Sequence, residues 1–245
     1  MAISESKPII VALIIGRGNN TLKNKNILPV MGRPLLQWGG LAAKFSNYID
    51  YYYVSSDDDK ILKVGEEIGF KSIKRPDELA LPTSQSSDAV KHALNFIEGD
   101  IGKIDILIVI HANVGTITTQ MLDSCIDLLM NNNYTSVIPS HYKYEYHPRR
   151  AKRINADGTL GNFVGSDTEY ISANRQELEP CVFFDHSFWV LDVKNGVKSE
   201  NGQYPWPVMG NRIFPFITEG CFDVHDLDDL KRTEEWLIEN GVRYE

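Results

Sequence analysis

The chain has 245 residues, 42% hydrophobic and 24% charged, the proportions of an ordinary globular protein long enough to bury a large core. Its formal net charge of −8 argues against general nucleic-acid binding, which needs a basic surface. Three scattered cysteines, Cys125, Cys181 and Cys221, show neither a metal-type CxxC spacing nor an even disulfide framework, and read as reduced thiols of a cytoplasmic protein. Met1 to Pro8 is polar and lacks the cationic flank and apolar centre of a signal peptide. No run reaches the ~18–20 apolar residues of a membrane-crossing helix.

Ile9 to Ile15 is a near-continuous apolar run, the pattern of a parallel strand buried on both faces. At Gly16 it changes to a polar loop, Gly16-Arg17-Gly18-Asn19-Asn20-Thr21-Leu22-Lys23-Asn24-Lys25-Asn26, with three cations and no acid. In open α/β sheets ligands bind at the carboxyl ends of strands, and a small-residue cationic loop there can bring N–H groups to phosphate oxygens. The loop therefore points to a nucleoside triphosphate site, with an ordinary solvated basic loop as the competing reading. Ile27 to Pro34 is turn-rich. Leu35, Trp38, Leu41, Ala42 and Phe45 then follow at helical spacing, with Gly39-Gly40 as a place for close packing on the sheet.

Tyr51 to Val54 is the second strand, and a helix through Ile61, Leu62, Val64, Glu66 and Ile68 closes at Gly69. Asp57 and Asp58 read as caps of that helix. A short strand at Lys71–Ile73 leads through the loop Arg75 to Ser87 into a helix over about Asp88 to Glu98. Asp105 to Ile110 is the most strand-like segment and ends at His111-Ala112-Asn113. A helix carrying Met121, Leu122, Cys125, Ile126 and Leu129 stops at Asn131-Asn132-Asn133, and Thr135 to Ile138 is a further strand. This alternation predicts a mostly parallel sheet covered on both faces.

From Ser140 to Pro180 the rhythm breaks into tyrosines, histidines and the cationic Arg149-Arg150-Ala151-Lys152-Arg153, with a β-turn at Asn155-Ala156-Asp157-Gly158. Short antiparallel ribbons fit this segment. Val182 to Asp192 returns to strand-like residues broken by Asp185 and His186, Gly196 to Gly210 reads as loop, and Phe222 to Val224 as a short strand before a final helix opened by Asp226. The whole reads as one domain over residues 1–245 with an inserted ribbon at about 140–180.

Four of these stretches, in order, resemble the CMP-sugar synthetases that activate 3-deoxy-2-ulosonic acids with CTP, the acylneuraminate cytidylyltransferase branch most closely. The Gly16–Asn26 loop is similar to that family's ARGGSKGIPxKN, one residue shorter, and Gly32-Arg33-Pro34-Leu35 matches the turn after it. Val54-Ser55-Ser56-Asp57-Asp58 resembles VSTDD, Arg75 to Ser86 resembles RPxELAxDTxSS, and Asp223 to Asp229 resembles DIDTxxD. The resemblance implies a Rossmann-like three-layer α/β/α fold binding CTP and an acidic sugar, and a homodimer formed through the ribbon. It implies phosphate contacts from Arg17, Gly18, Asn19, Asn20 and Thr21, nucleotide recognition by Lys25 and Asn26, and further CTP contacts from Arg75, Ser84 and Ser86. Arg17, Lys25 and Asp223 are the expected catalytic groups, with Asp223 also a magnesium ligand. The second metal aspartate of the family falls at His225, so Asp223 acts alone, Asp226 substitutes, or the preference shifts toward manganese.

His111-Ala112-Asn113 replaces the family's QPTSPLR, and His111 and Asn113 are candidates for sugar recognition or for structural hydrogen bonds. Asp185, with His186, is costly to bury without partners and could grip the sugar. Asp223 could instead cap the last helix, and His225 could be a plain surface residue. The expected reaction is cytidylyl transfer from CTP to the anomeric hydroxyl of a sialic acid-like nonulosonate. The alternatives are a sugar-phosphate nucleotidyltransferase of another class and a non-catalytic nucleotide-binding relative.

Overall fold

The computed structural model of the protein describes residues 7–244. Residues 1–6, most of the polar N-terminal segment, and residue 245 lie outside the described residues. Strand β1 (Ile10–Ile15) is buried along its whole length. Its side chains divide by parity: Ile10, Ala12 and Ile14 enter one core layer, and Val11, Leu13 and Ile15 enter the other. That is the two-residue period of a strand covered on both faces. Removing a side chain such as Leu13, with no exposure at all, would cost ~2–5 kcal/mol through lost burial and the cavity left behind.

A small antiparallel pair, β2 (Pro29–Val30) and β3 (Arg33–Pro34), turns the chain into helix α1 (Leu35–Lys44). Gly39 and Gly40 let α1 lie close to its neighbours. A Cβ on Gly40 would sit 2.4 Å from Ile68 Cδ1, and one on Gly39 would sit 2.9 Å from Ile110 Cγ2. β4 (Tyr51–Ser56), α2 (Asp59–Glu66), β5 (Lys71–Lys74), α3 (Ser86–Ile101), β6 (Ile106–His111), α4 (Thr119–Met130) and β7 (Ser136–Tyr142) continue the expected alternation. Helix α3 begins and ends beyond the expected 88–98 span. Helices α1, α2 and α4 pack on one face of the sheet, while α3 and residues Val193, Val197, Val208 and Met209 cover the other.

Next come β8 (Lys152–Ile154) and β9 (Leu160–Asn162), β10 (Val182–Phe184), β11 (Phe188–Asp192), β12 (Ile213–Ile217) and α5 (Leu227–Glu239). The eight-stranded sheet runs β10-β7-β11-β6-β1-β4-β5, with β12 also paired to β7. β1 is parallel to β4 on one side and to β6 on the other. The chain thus leaves β1 toward β4 and later returns to its opposite side, which makes the gap between β1 and β6 a topological switch point. β11 inserts antiparallel between β6 and β7, whereas β12 runs parallel to β7. This is the three-layer α/β/α arrangement expected, with a more mixed sheet on the β7 side.

Three sequence expectations need correction. β12 falls outside the expected strands because Pro215 interrupts its pattern. Proline is tolerated here because β12 pairs with β7 alone and needs no N–H toward a second neighbour. Phe222–Val224 forms no ladder, only a single bridge from Asp223 to Val114. The inserted ribbon has one short antiparallel pair, β8 with β9, and the following stretch to Cys181 contains only turns and one short 3-10 segment. Among the described residues no helix is long and apolar enough to cross a membrane.

Candidate active site

A cavity of about 300 Å³ opens over the switch point, at the small end of ligand pockets. Ile15, Gly16 and His111 come to it from the ends of β1 and β6, and Arg75 and Ser84 from the loop before α3. The first loop is held down on β4: Gly16 N donates to Ser55 O (3.2 Å) and Gly18 N to Asp57 Oδ1 (3.0 Å). Asn20 Nδ2 and Asn26 Nδ2 both donate to the Arg17 carbonyl, at 2.5 and 3.0 Å. Asn20 and Asn26 therefore brace the loop from within.

Arg17, Asn20, Lys25, Asn26, Arg75, Ser84, Ser86, His111 and Asn113 all line the cavity, as the sequence led us to expect. Arg17 Nη1 reaches Leu81 O (3.1 Å), tying the loop to the segment that closes the other wall. Buried Arg75 donates to Ser55 O (2.9 Å), and its pKa is lowered to about 10, first by burial, against the pull of Asp57 and with a push from Arg17. Burial likewise lowers the Lys25 ammonium, with Asp223 opposing and Arg17 adding to the shift. Three cations crowd one cavity, and an anion entering it would relieve their mutual repulsion. Helix α3 begins at the same wall, through Gln85 and Ser86, and Gln85 makes no side-chain cap bond. Its free N–H groups and positive dipole end add to the pull on phosphate.

Gly18, Asn19 and Thr21 do not line the cavity. Gly18 is a packing glycine, since a Cβ there would lie 2.6 Å from Asp58 Cβ. Asn19 is exposed, and Thr21 lines a separate groove with Leu22, His225 and Asp226. Ser84 is on the wall, but its hydroxyl is given to Glu78 O (2.8 Å).

Asp223 sits just beyond the cavity wall, with its carboxylate hydrogen-bonded by Asn113 Nδ2 and 3.4 Å from His225 Nε2. Burial raises its pKa, while His225, Lys25 and His186 act to lower it. Lys25 Nζ donates to the neighbouring Val224 carbonyl (2.9 Å), so the first loop and this segment are latched together across the whole sequence. Asp226 does not face the cavity. It caps α5, accepting from Asp228 N (2.9 Å) and Asp229 N (3.0 Å) in a capping box. His225 is largely exposed and paired with Asp223.

Asp185 is also corrected by the structure. Its side chain is fully enclosed, His141 Nδ1 lies 2.5 Å from one oxygen, and Thr218 donates to the other. These partners make it a structural carboxylate behind the site and not one open to sugar. Its neighbour His186 contributes more to the site side. It has φ 52, stands near-parallel to His111 at 6.3 Å between ring centroids, and faces Trp206 at 4.9 Å. A polar pair interrupting an apolar strand was the available signal, though it did not say which of the two turns toward His111.

Among the described residues no cluster of three or more His, Cys, Asp or Glu side chains could cage a metal. Asp223 alone suits magnesium, which commonly takes one or two carboxylates and fills its remaining positions with water and phosphate oxygens.

Comparison with known proteins agrees with this geometry. The family described as "Cytidylyltransferase" matches residues 11–185. N-acylneuraminate cytidylyltransferase A of Danio rerio is 30% identical over 52% of this chain and 29% of its own length, so the match spans under a third of that relative. Pseudaminic acid cytidylyltransferase of Campylobacter jejuni is 23% identical over 66% of this chain and 68% of its own. In fold, the chain superposes on a CMP:2-keto-3-deoxy-manno-octonic acid synthetase solved with CTP, with a TM-score of 0.67 at 14% identity, covering 96% of this chain and 100% of that one. With the family match running from β1 to Asp185 and so through the whole cationic cavity, the chain belongs to the cytidylyltransferase family.

Proposed function

We propose that the protein transfers the cytidylyl group of CTP to the anomeric hydroxyl of an acidic 3-deoxy-2-ulosonic sugar, a sialic acid-like nonulosonate, with release of pyrophosphate. The observation that carries this reading is the convergence of Arg17, Lys25, Arg75 and the start of α3 on one cavity at the switch point. The sugar oxygen attacks the α-phosphorus, a new P–O bond forms, and the bond to the β-phosphate breaks. Both substrates are anions, so the protein's main task is to hold them together and stabilise charge on the leaving group. In this reading Arg17 and Lys25 contact the phosphates, and Arg75 stiffens the opposite wall. Asp223 would hold Mg2+, or Mn2+, which when bound supplies charge neutralisation at the pyrophosphate.

The acid acceptor would lie toward His111 and Asn113, where the sequence departs from the family pattern. The relatives named for N-acylneuraminate and pseudaminic acid support a nonulosonate acceptor. We further read the 140–180 excursion as the arm of a homodimer. It exposes Ile154 (80%), Phe163 (66%) and Tyr170 (83%) beside the cationic Arg149, Arg150, Lys152 and Arg153, and apolar side chains left this open suit a covering partner. The test is pyrophosphate release from CTP and magnesium with a panel of nonulosonic acids, an octulosonic acid and sugar 1-phosphates. Release with one of the nonulosonic acids supports the reading, and release with a sugar 1-phosphate alone contradicts it. CTP binding without release from any acceptor would favour a non-catalytic relative, an outcome that the His225–Asp223 pair would explain.

A further inference from the structure

Asp223 lies on the stretch between β12 and α5, which forms no ladder and has one bridge, from Asp223 to Val114. The backbone of this stretch is fixed at several points. Thr218 N donates to Ser140 O (2.8 Å), Phe222 N to Thr116 Oγ1 (3.3 Å) and Val224 N to Asn113 O (3.1 Å), and Val224 O accepts from Lys25 Nζ (2.9 Å). None of these bonds sets the direction of the Asp223 carboxylate. Among the described residues the one hydrogen bond to that carboxylate comes from Asn113, whose Nδ2 donates to Oδ1. An ionised carboxylate only accepts, which fixes the end of the Asn113 amide that turns toward it. The amide nitrogen of this cavity-lining residue is therefore directed at Asp223. The kind of donor matters. A cation at Oδ1 would compete with a metal ion for the carboxylate's charge, whereas a neutral amide orients the group and leaves its charge in place. The Lys25 ammonium is given to the Val224 carbonyl instead. At the second oxygen, Oδ2, His225 Nε2 stands 3.4 Å away, longer than an ordinary hydrogen bond, on a side chain 71% exposed.

We propose that Asn113 is a positioning residue for the metal carboxylate: it holds Oδ1 of Asp223 and so presents Oδ2 to the divalent cation. This rests on the cytidylyltransferase reading, and it makes Asn113 a support of the cation site rather than a group that recognises the acceptor. Partners that orient a ligating carboxylate are worth roughly 10–100-fold in metal affinity or activity. Here the need is plain, because the stretch that carries Asp223 has no ladder to hold its side chains in register.

The test is paramagnetic broadening of backbone amide resonances by Mn2+ alone in 15N-labelled protein, with no CTP or sugar present, so that turnover plays no part. In the wild-type protein the amides of Asp223 and Val224 should broaden first. Asn113→Leu should raise the Mn2+ concentration at the midpoint of that broadening about tenfold, while calorimetry in EDTA finds CTP affinity within about twofold of wild type. With magnesium, CTP and the acidic sugar supplied, kcat should fall and KM for the sugar should stay the same. An unchanged Mn2+ midpoint overturns the proposal, and a raised sugar KM beside it would return Asn113 to acceptor recognition. Broadening that spares Asp223 in wild-type protein that binds CTP sinks this inference alone, whereas wild-type protein that does not bind CTP sinks the parent reading. Asn113→Gln keeps an amide donor on a longer arm, and its midpoint should rise by only about threefold. A glutamine variant as weak as the leucine variant would assign the effect to shape and contradict the role of the donor. If the leucine variant does not fold, the glutamine variant carries the test, and an unshifted midpoint there overturns the proposal.

Discussion

The two sides of the switch point are built on different plans. On the β1–β4–β5 side, strands are parallel and the cationic groups come from two contiguous stretches, 16–26 and 75–86, each set on a strand end. On the β6–β11–β7 side, pairing is mixed, and the groups come from segments far apart in sequence: His111 and Asn113 on the cavity wall, with the break at 185–187 and Asp223 behind it. Parallel strand ends can fix an anion site with few residues, and local motifs can encode it. In the proposed reading the other side is the acceptor wall, and a wall assembled from distant pieces can be altered one piece at a time. Such a division would let the sugar change while the nucleotide stays the same.

The contrast can be broken most severely at Asp223. Asp223→Ala should lower turnover by ~100-fold or more, as loss of a group that stabilises transition-state charge does, while CTP affinity measured by calorimetry stays within about threefold. A parallel collapse of CTP binding would move Asp223 to the nucleotide side. Next in size, Arg75→Leu should weaken CTP about tenfold or more and also lower stability by ~1–3 kcal/mol, since the Ser55 carbonyl keeps Gly16 N but loses its charge-assisted bond from the guanidinium. Urea unfolding and CTP titration read the two effects separately.

Smaller effects belong to the excursion. Ile154→Glu with Tyr170→Glu should shift the protein toward monomer in light scattering, with folding stability changed by less than ~0.5 kcal/mol because both side chains are exposed. A protein that is monomeric before substitution would remove the ribbon from assembly. The smallest change is expected for His225→Asp. Adding a carboxylate beside Asp223 should preserve or raise magnesium-dependent turnover by about twofold to threefold, read from a magnesium titration of initial rates. A fall in turnover would mean the imidazole at 225 has a part of its own.

Much of the first side was legible in the sequence. The apolar run of β1, the loop at Gly16 and the arginine before Pro76 are local patterns, and nine expected contact residues line one cavity. Where local reading failed, the reason was long-range packing. Gly18 is required by the approach of Asp58 rather than by phosphate. The acid at 185 is sealed by His141 and Thr218, neither of which its neighbours in sequence announce. Asp226, a possible metal ligand by resemblance, instead caps the helix it opens. His186 takes a left-handed φ of 52 at the break before β11, a property that no side-chain pattern displays.

In the proposed reaction the sugar's own anomeric oxygen displaces pyrophosphate from the α-phosphorus of CTP. The direct measurement is 31P NMR of the product formed from a nonulosonic acid carrying 18O at the anomeric hydroxyl. The expected result is an isotope-shifted CMP ester resonance, with the label bridging sugar and phosphorus, and unlabelled pyrophosphate. Label missing from the ester, or no CMP ester while CTP is consumed, would contradict it.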